Sequence, residues 1–264
     1  MEYGLNLYSI RKNISTEEAF LDTAIKLKEM GYSFMQFSGC PYDPEKIKRV
    51  VDASGMPVVL THVDVQKILN ETEQLVEEHN YFGCKNIGLG GLKRDIMKDD
   101  KLWKETLDKL NIAAEKIAKM GSKFFFHQHH YEFHTFEDGM QAFDYMIENC
   151  PNINFTVDSY WVQYGGFNPV TYVDKLKGRM ECAHLKDLRI NRHIKENEDG
   201  TVTVEMKPGY APCGEGNLDF NAIISKWQQC GTKYFLVEQD DAASYPDPLA
   251  QVKSSIDYLK SLKF

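Results

Sequence analysis

One pattern constrains the fold more than any other: a short apolar run followed by a helix-forming segment, repeated eight times without a linker break. The apolar runs are Tyr3–Leu7, Phe34–Phe37, Pro57–His62, Asn86–Leu89, a stretch beginning at Phe124, Ile153–Asp158, Met180–Lys186 and Lys233–Glu238. The segments between them have helical punctuation. Ser15-Thr16-Glu17-Glu18 gives a hydroxyl cap with acids in the first turn, Ala19, Phe20, Ala24, Leu27 and Met30 keep the helical period, and Gly31 ends it. Further helices are expected over Pro44–Ala53, Glu71–Phe82, Leu102–Met120, Phe136–Glu148, Pro169–Leu176, Leu218–Cys230 and Pro248–Leu262. Strand-then-helix alternation implies parallel pairing, because parallel strands need crossover helices. A chain of 264 residues has the size of one (β/α)8 barrel, so the expectation is an α/β protein with a single TIM-barrel domain over residues 1–264. A doubly wound open sheet is the competing arrangement. It is disfavoured because Leu7-Tyr8-Ser9-Ile10-Arg11, after the first strand, lacks a glycine-rich dinucleotide loop. A polar insertion follows strand seven, from about Asp187 to Asn217, with a hairpin-type turn at Asn197-Glu198-Asp199-Gly200.

Composition narrows the function classes. The net charge of -8 argues against a nucleic-acid partner and against anionic membranes, since both call for a basic surface. The six cysteines are scattered with no CxxC, as suits reduced thiols, and no charged-then-apolar leader or membrane-length apolar run is visible. The expectation is a cytoplasmic protein.

The chemistry gathers where strands end. Strand three ends in His62 and strand five in His127 and His129, with Glu132 just beyond. Strand six ends in Asp158, strand seven in His184 and Lys186, and strand eight in Glu238 with Asp240 after it. Residues i and i+2 of a strand face the same side, so His127 with His129, His184 with Lys186, and Glu238 with Asp240 can each point together. In a barrel all would meet at the C-terminal mouth. Taken singly, each has a bland explanation. Asp158 can cap a turn, His184 can be a hydrogen-bonded structural histidine, and Lys186 can pair with an acid. Clustering at successive strand ends favours function, and two or three carboxylates with one or two imidazoles suit a divalent cation. Mixed oxygen and nitrogen donors fit Mn2+, Zn2+, Co2+ or Fe2+ better than Ca2+.

Five pieces in order resemble the xylose isomerase-like TIM-barrel superfamily, the sugar phosphate isomerase/epimerase group. They are Phe126-His127-Gln128-His129-His130-Tyr131-Glu132-Phe133, Val157-Asp158-Ser159-Tyr160-Trp161-Val162, Ala183-His184-Leu185-Lys186-Asp187, Gly214-Glu215-Gly216-Asn217-Leu218-Asp219 and Val237-Glu238-Gln239-Asp240. The resemblance implies one divalent ion (Mn2+, Zn2+, Co2+ or Mg2+) on a Glu/Asp/His/Glu set, and Asp158, His184 and Glu238 match its last three positions. The first position departs: many relatives have Glu-x-His where this chain has His127-Gln128-His129. Either His127 replaces that ligand or Glu132 reaches back to it. The expected set is Glu132, Asp158, His184 and Glu238, with His129 in proton transfer and His127 near the substrate.

This His-x-His form also resembles enzymes acting on inososes and 3-keto-sugars. The expected activity is a metal-dependent sugar or keto-sugar isomerase or epimerase on a small carbohydrate. The alternative is a lyase, either a dehydratase of the inosose type or a 3-keto-glycoside-cleaving enzyme. All share removal of a proton next to a metal-bound carbonyl. The expected catalytic groups are His129, Glu132, Glu238 and Lys186. The expected substrate contacts are His62, His127, Trp161, Lys186 and Glu215. An abasic-site endonuclease of a related barrel group is disfavoured by the charge, and a non-catalytic barrel by the strand-end set. Arg189, Arg192 and His193 read first as a solvated polar loop, although the insertion can serve as a dimer arm in a homo-oligomer.

Overall fold

In the computed structural model, which describes residues 1–264, the apolar runs become eight short parallel strands. In chain order the strands are β1 (Tyr3–Asn6), β2 (Phe34–Phe37), β3 (Val58–Thr61), β4 (Asn86–Leu89), β5 (Lys123–His127), β6 (Asn154–Asp158), β7 (Cys182–Leu185), β8 (Asp187–Glu196), β9 (Val202–Ala211) and β10 (Tyr234–Val237). The barrel order is β3-β2-β1-β10-β7-β6-β5-β4, while β8 and β9 form a separate antiparallel ribbon. First and last barrel strands pair with Leu5 opposite Val237. The seam between β3 and β4 is held more sparingly. The Val63 amide donates to the Gly88 carbonyl (2.9 Å), and Asn86 Nδ2 donates to the Val59 carbonyl (2.8 Å). The outcome is a nearly closed (β/α)8 barrel.

Ten helices lie between the strands: α1 (Glu17–Met30), α2 (Pro44–Ser54), α3 (Val65–Asn70), α4 (Thr72–Tyr81), α5 (Arg94–Met97), α6 (Asp100–Lys119), α7 (Ala142–Asn149), α8 (Ser159–Tyr164), α9 (Phe220–Gln229) and α10 (Pro248–Ser261). Thr16 caps α1 by accepting from the Ala19 amide, as its hydroxyl before two glutamates suggests. Two expected helices are shorter than their sequence pattern. Helix α7 starts at Ala142, because Phe136 to Met140 closes into a turn in which the Phe136 amide donates to the Met140 carbonyl (2.9 Å). The segment from Pro169 forms only a 3-10 turn, Tyr172–Leu176.

The barrel interior explains how the site arises. Phe34, Leu60, Phe125, Cys182 and Leu236 form one buried cluster, contributed by β2, β3, β5, β7 and β10. Burying a Phe or Leu there is worth roughly 1.5–3 kcal/mol. Two residues further along the same five runs, on the same inward face, stand Gln36, His62, His127, His184 and Glu238. Apolar side chains thus fill the lower layer, and polar ones occupy the layer above, at the strands' C-terminal ends.

Candidate active site

Ligand atoms of His127, Asp158, His184 and Glu238 all lie within 4.8 Å of one another, and all four side chains are buried. His184 Nδ1 is 2.8 Å from Glu238 Oε2 and 3.6 Å from Asp158 Oδ2. His127 Nε2 lies 3.4 Å from Asp158 Oδ2 and 3.1 Å from His184 Nδ1.

Three of the four are aimed by a partner on their far side. Asn6 Nδ2 donates to Glu238 Oε1 (2.8 Å), which leaves Oε2 toward the cluster, and the Ser38 hydroxyl donates to Asn6 Oδ1. Asp158 Oδ1 accepts the amides of Tyr160 (2.9 Å) and Trp161 (3.2 Å), so the contacts that start α8 also leave Oδ2 to face the cluster. His184 Nε2 pairs with Gln36 Oε1 at 2.7 Å, and Gln36 Nε2 pairs with His62 Nε2 at 2.9 Å. A donor–acceptor bond on the far nitrogen fixes both tautomer and ring orientation, as metal-binding histidines require.

Charge is arranged as tightly as shape. Burial, aided by neighbouring His184, keeps His127 well below the usual histidine range, and burial with His127 does the same to His129. Burial also lowers His62 to about 3. Neutral imidazoles keep a lone pair for a ligand or a proton. Burial alone would lower His184 too, but Glu238 and Asp158 outweigh it and raise it to about 9. Burial would raise Glu238, yet Lys186 and His184 hold it well below the usual carboxylate range. Lys186 Nζ sits 3.4 Å from Asp158, 3.3 Å from Glu238 and 2.8 Å from Asp240, with the Trp161 ring centre 4.9 Å away. Burial works against this ammonium, but the three carboxylates hold it well above the usual lysine range. Two anionic oxygens and two nitrogens on a fixed frame fit one divalent ion of borderline type.

The cluster opens onto a cavity of about 300 Å3 lined by Tyr8, Ser38, His62, His129, Lys186 and Asp240 together with His127 and Glu238. That is the size of a small-ligand pocket. A larger hollow of about 520 Å3 beside α3 and α6 has two lysines but no histidine, acid or cysteine in its lining.

The structure brings together Asp158, His184 and Glu238, and the fourth corner is His127 rather than Glu132. Glu132 lies on the 3-10 turn His130–Phe133, where its Oε2 accepts the His129 amide at 2.6 Å. The chain turns so tightly after β5 that this carboxylate satisfies its own backbone instead of reaching the cluster. Its Oε1 is buried without a partner, and burial raises its pKa to about 8. His129 lines the cavity, stacked on Tyr131 at 4.9 Å, with Nδ1 unpartnered. His62 stacks on His127 at 5.3 Å, and Trp161 packs beside His129 at the same distance. Glu215 is outside this site: it is exposed and bonds the Ser254 hydroxyl on α10. Its flanking glycines serve another residue, since the Gly214 and Gly216 amides both donate to Asp187 Oδ2 at 2.9 Å. A Cβ on Gly216 would fall 2.3 Å from Asp187 Oδ1, which is why no larger residue fits. Asn6, Gln36 and Ser38 are not evident from the sequence, although a lone amide at the inward end of an apolar strand is the signal for the first two.

The xylose isomerase-like TIM barrel family model matches residues 25–262. An inosose dehydratase of Geobacillus kaustophilus is 26% identical over 168 residues, covering 61% of this chain and 54% of that protein. The matched segment thus spans about half the length of that relative. An inosose dehydratase of Clostridium perfringens is 23% identical over 244 residues, covering 83% and 82% of the two chains. Among solved structures, a sugar phosphate isomerase/epimerase from Parabacteroides distasonis superposes with a TM-score of 0.79 at 18% identity, covering 98% of this chain and 93% of that one. With the barrel, its polar mouth and a family match over most of its length, the chain belongs to the xylose isomerase-like TIM barrel family.

Proposed function

We propose that this protein is a divalent-metal-dependent enzyme that removes a proton next to the carbonyl of a sugar or keto-sugar, acting as an isomerase or epimerase. The observation that supports this reading is the convergence of His127, Asp158, His184 and Glu238 beside a cavity of small-ligand size. These four residues would hold the ion. When bound, the ion supplies Lewis-acid polarisation of the substrate carbonyl. The remaining work falls to the chain. Glu238, kept anionic by Lys186 and His184, and His129, kept neutral at the cavity lining, are the groups able to take and return a proton. Lys186 turns a fixed positive charge toward negative charge developing on the substrate oxygen. His62 forms a wall of the cavity, Trp161 backs Lys186 and His129 from outside it, and Glu132 is a positioning residue that fixes the backbone of His129.

The names of the two bacterial relatives favour a second reading, a lyase that begins with the same proton removal and then expels water. One experiment tests both. Ketoses and cyclic ketones would be incubated with metal-loaded protein in D2O and followed by NMR and mass spectrometry. Deuterium should enter at the carbon beside the carbonyl. Conserved mass apart from that label supports isomerisation or epimerisation, and loss of water supports the lyase. Asp158→Ala should lower metal content and exchange rate together, by at least about 100-fold in rate. Full exchange after exhaustive chelation would refute the metal-dependent reading.

A further inference from the structure

The ribbon β8–β9 projects from the mouth with two unlike faces. Antiparallel partners point the same way, so Ile190 with Pro208, Arg192 with Met206, Ile194 with Val204, and Glu196 with Val202 share one face. The other face holds Arg189, Asn191, His193, Lys195, Thr203, Glu205 and Lys207, all polar. On the first face the large apolar side chains stand in water: Ile190 is 52% exposed, Ile194 60%, Val202 57%, Val204 54% and Met206 63%. Monomeric proteins rarely leave such a stripe open, and a lone two-stranded ribbon is marginal in water.

We propose that this face pairs with the same face of a second copy of the chain, about a two-fold axis that lies in the contact plane and crosses both strands at Ile194 and Val204. Charge complementarity selects this occupant. Arg192 and Glu196 are the only charged residues on the apolar face, and they lie symmetrically about Ile194. The ribbon's one ion pair, Lys207–Glu205, lies on the opposite face, so both are unpaired within the chain. A two-fold at Ile194 that reverses the strands sets Arg192 against Glu196 of the partner subunit, and Glu196 against the partner's Arg192. It also stacks Ile194 on itself, Val204 on itself and Met206 on the partner's Val202, a self-complementary isologous contact. Each copy leaves five large apolar side chains on this face more than half exposed, and the pairing covers them on both copies. By the same register, the partner's turn lies over Ile190 and Pro208, one pair short of Leu188 and Tyr210, which pack with Trp161 and Tyr160 at the base of the ribbon.

Sedimentation of the purified full chain over a range of concentrations tests this. The wild type should show twice the 30.4 kDa chain mass. Ile194→Glu should weaken the dimer at least about 100-fold, because it places like charges on the axis. Arg192→Glu alone and Glu196→Arg alone should each weaken it about 10-fold, and the double swap should restore it. Thr203→Glu, on the polar face, controls for charge and should leave the mass unchanged, with circular dichroism reporting folding of every variant. A wild type of single-chain mass at high concentration overturns the proposal, and is the result expected if a membrane or an unrelated protein covers the stripe. A dimer indifferent to Ile194→Glu, or a double swap that fails to restore a dimer broken by the single changes, overturns it as well.

Discussion

In the mouth, Glu238, Asp158 and His184 each fix one polar atom on a partner and offer another to a shared point. On the ribbon, Ile194, Val204 and Met206 have no partner at all and stand in water. Both regions are unfinished surfaces of opposite kinds. A buried polar group left without a partner is expensive, so its neighbours are fastened before any ligand arrives. An exposed apolar side chain needs no fastening; it waits for area. The first kind of surface suits something small and charged, and the second something broad and apolar.

That contrast can be broken from the mouth outward. The largest effect is expected from Lys186→Met. It strips the shared cation from Asp158, Glu238 and Asp240 and should cost about 3–5 kcal/mol in metal-free protein, read by urea unfolding. A loss below about 1 kcal/mol would mean that the mouth is no more tightly fastened than an ordinary surface pair. Glu132→Gln should act in the other direction. The buried carboxyl keeps its proton in the folded chain up to about pH 8, whereas the unfolded chain releases it near 4.5. Folding stability from this group is therefore fully present below about 4.5 and declines as pH rises toward 8. Glutamine retains the acceptor for the His129 amide and has nothing to ionise. It should gain on the order of 2 kcal/mol over wild type at pH 8 and nothing at pH 4, by urea unfolding at both values. Equal differences at the two pH values would place the proton elsewhere. The smallest effect belongs to the ribbon's polar face, where Lys195→Ala should change stability by less than about 0.5 kcal/mol. A larger change there would show that the ribbon is integrated into the fold as firmly as the mouth.

Much of the mouth was legible because strands have a period of two. Asp158, His184 and Glu238 end apolar runs, and the barrel leaves such ends only one direction to face. The choice between His127 and Glu132 was not legible. It depends on a 3-10 turn beginning at His130, a matter of backbone geometry that residue types do not announce. Asn6 and Gln36 were missed for a chemical reason: amides do not ionise and read as ordinary strand residues, yet here they aim a carboxylate and an imidazole. Glu215, expected as a substrate contact, sits outside the mouth because the glycines on either side of it fold the chain around the carboxylate of Asp187. The ribbon's turn was readable from Asn197 to Gly200. Its apolar face was hidden because Ile190 and Ile194 alternate with residues that make the stretch look uniformly polar.

Asp187 itself has a wider consequence. Its carboxylate accepts the amides of Leu188, Gly214, Gly216 and Leu218, gathering the chain where it leaves the barrel and where it comes back. Lys186 is the residue immediately before this knot. Whatever happens beyond it, whether the ribbon lengthens, shortens or changes its stripe, strand β7 and its lysine remain anchored. The ribbon can therefore be rebuilt over generations as a separable attachment, with one carboxylate marking the boundary between it and the barrel.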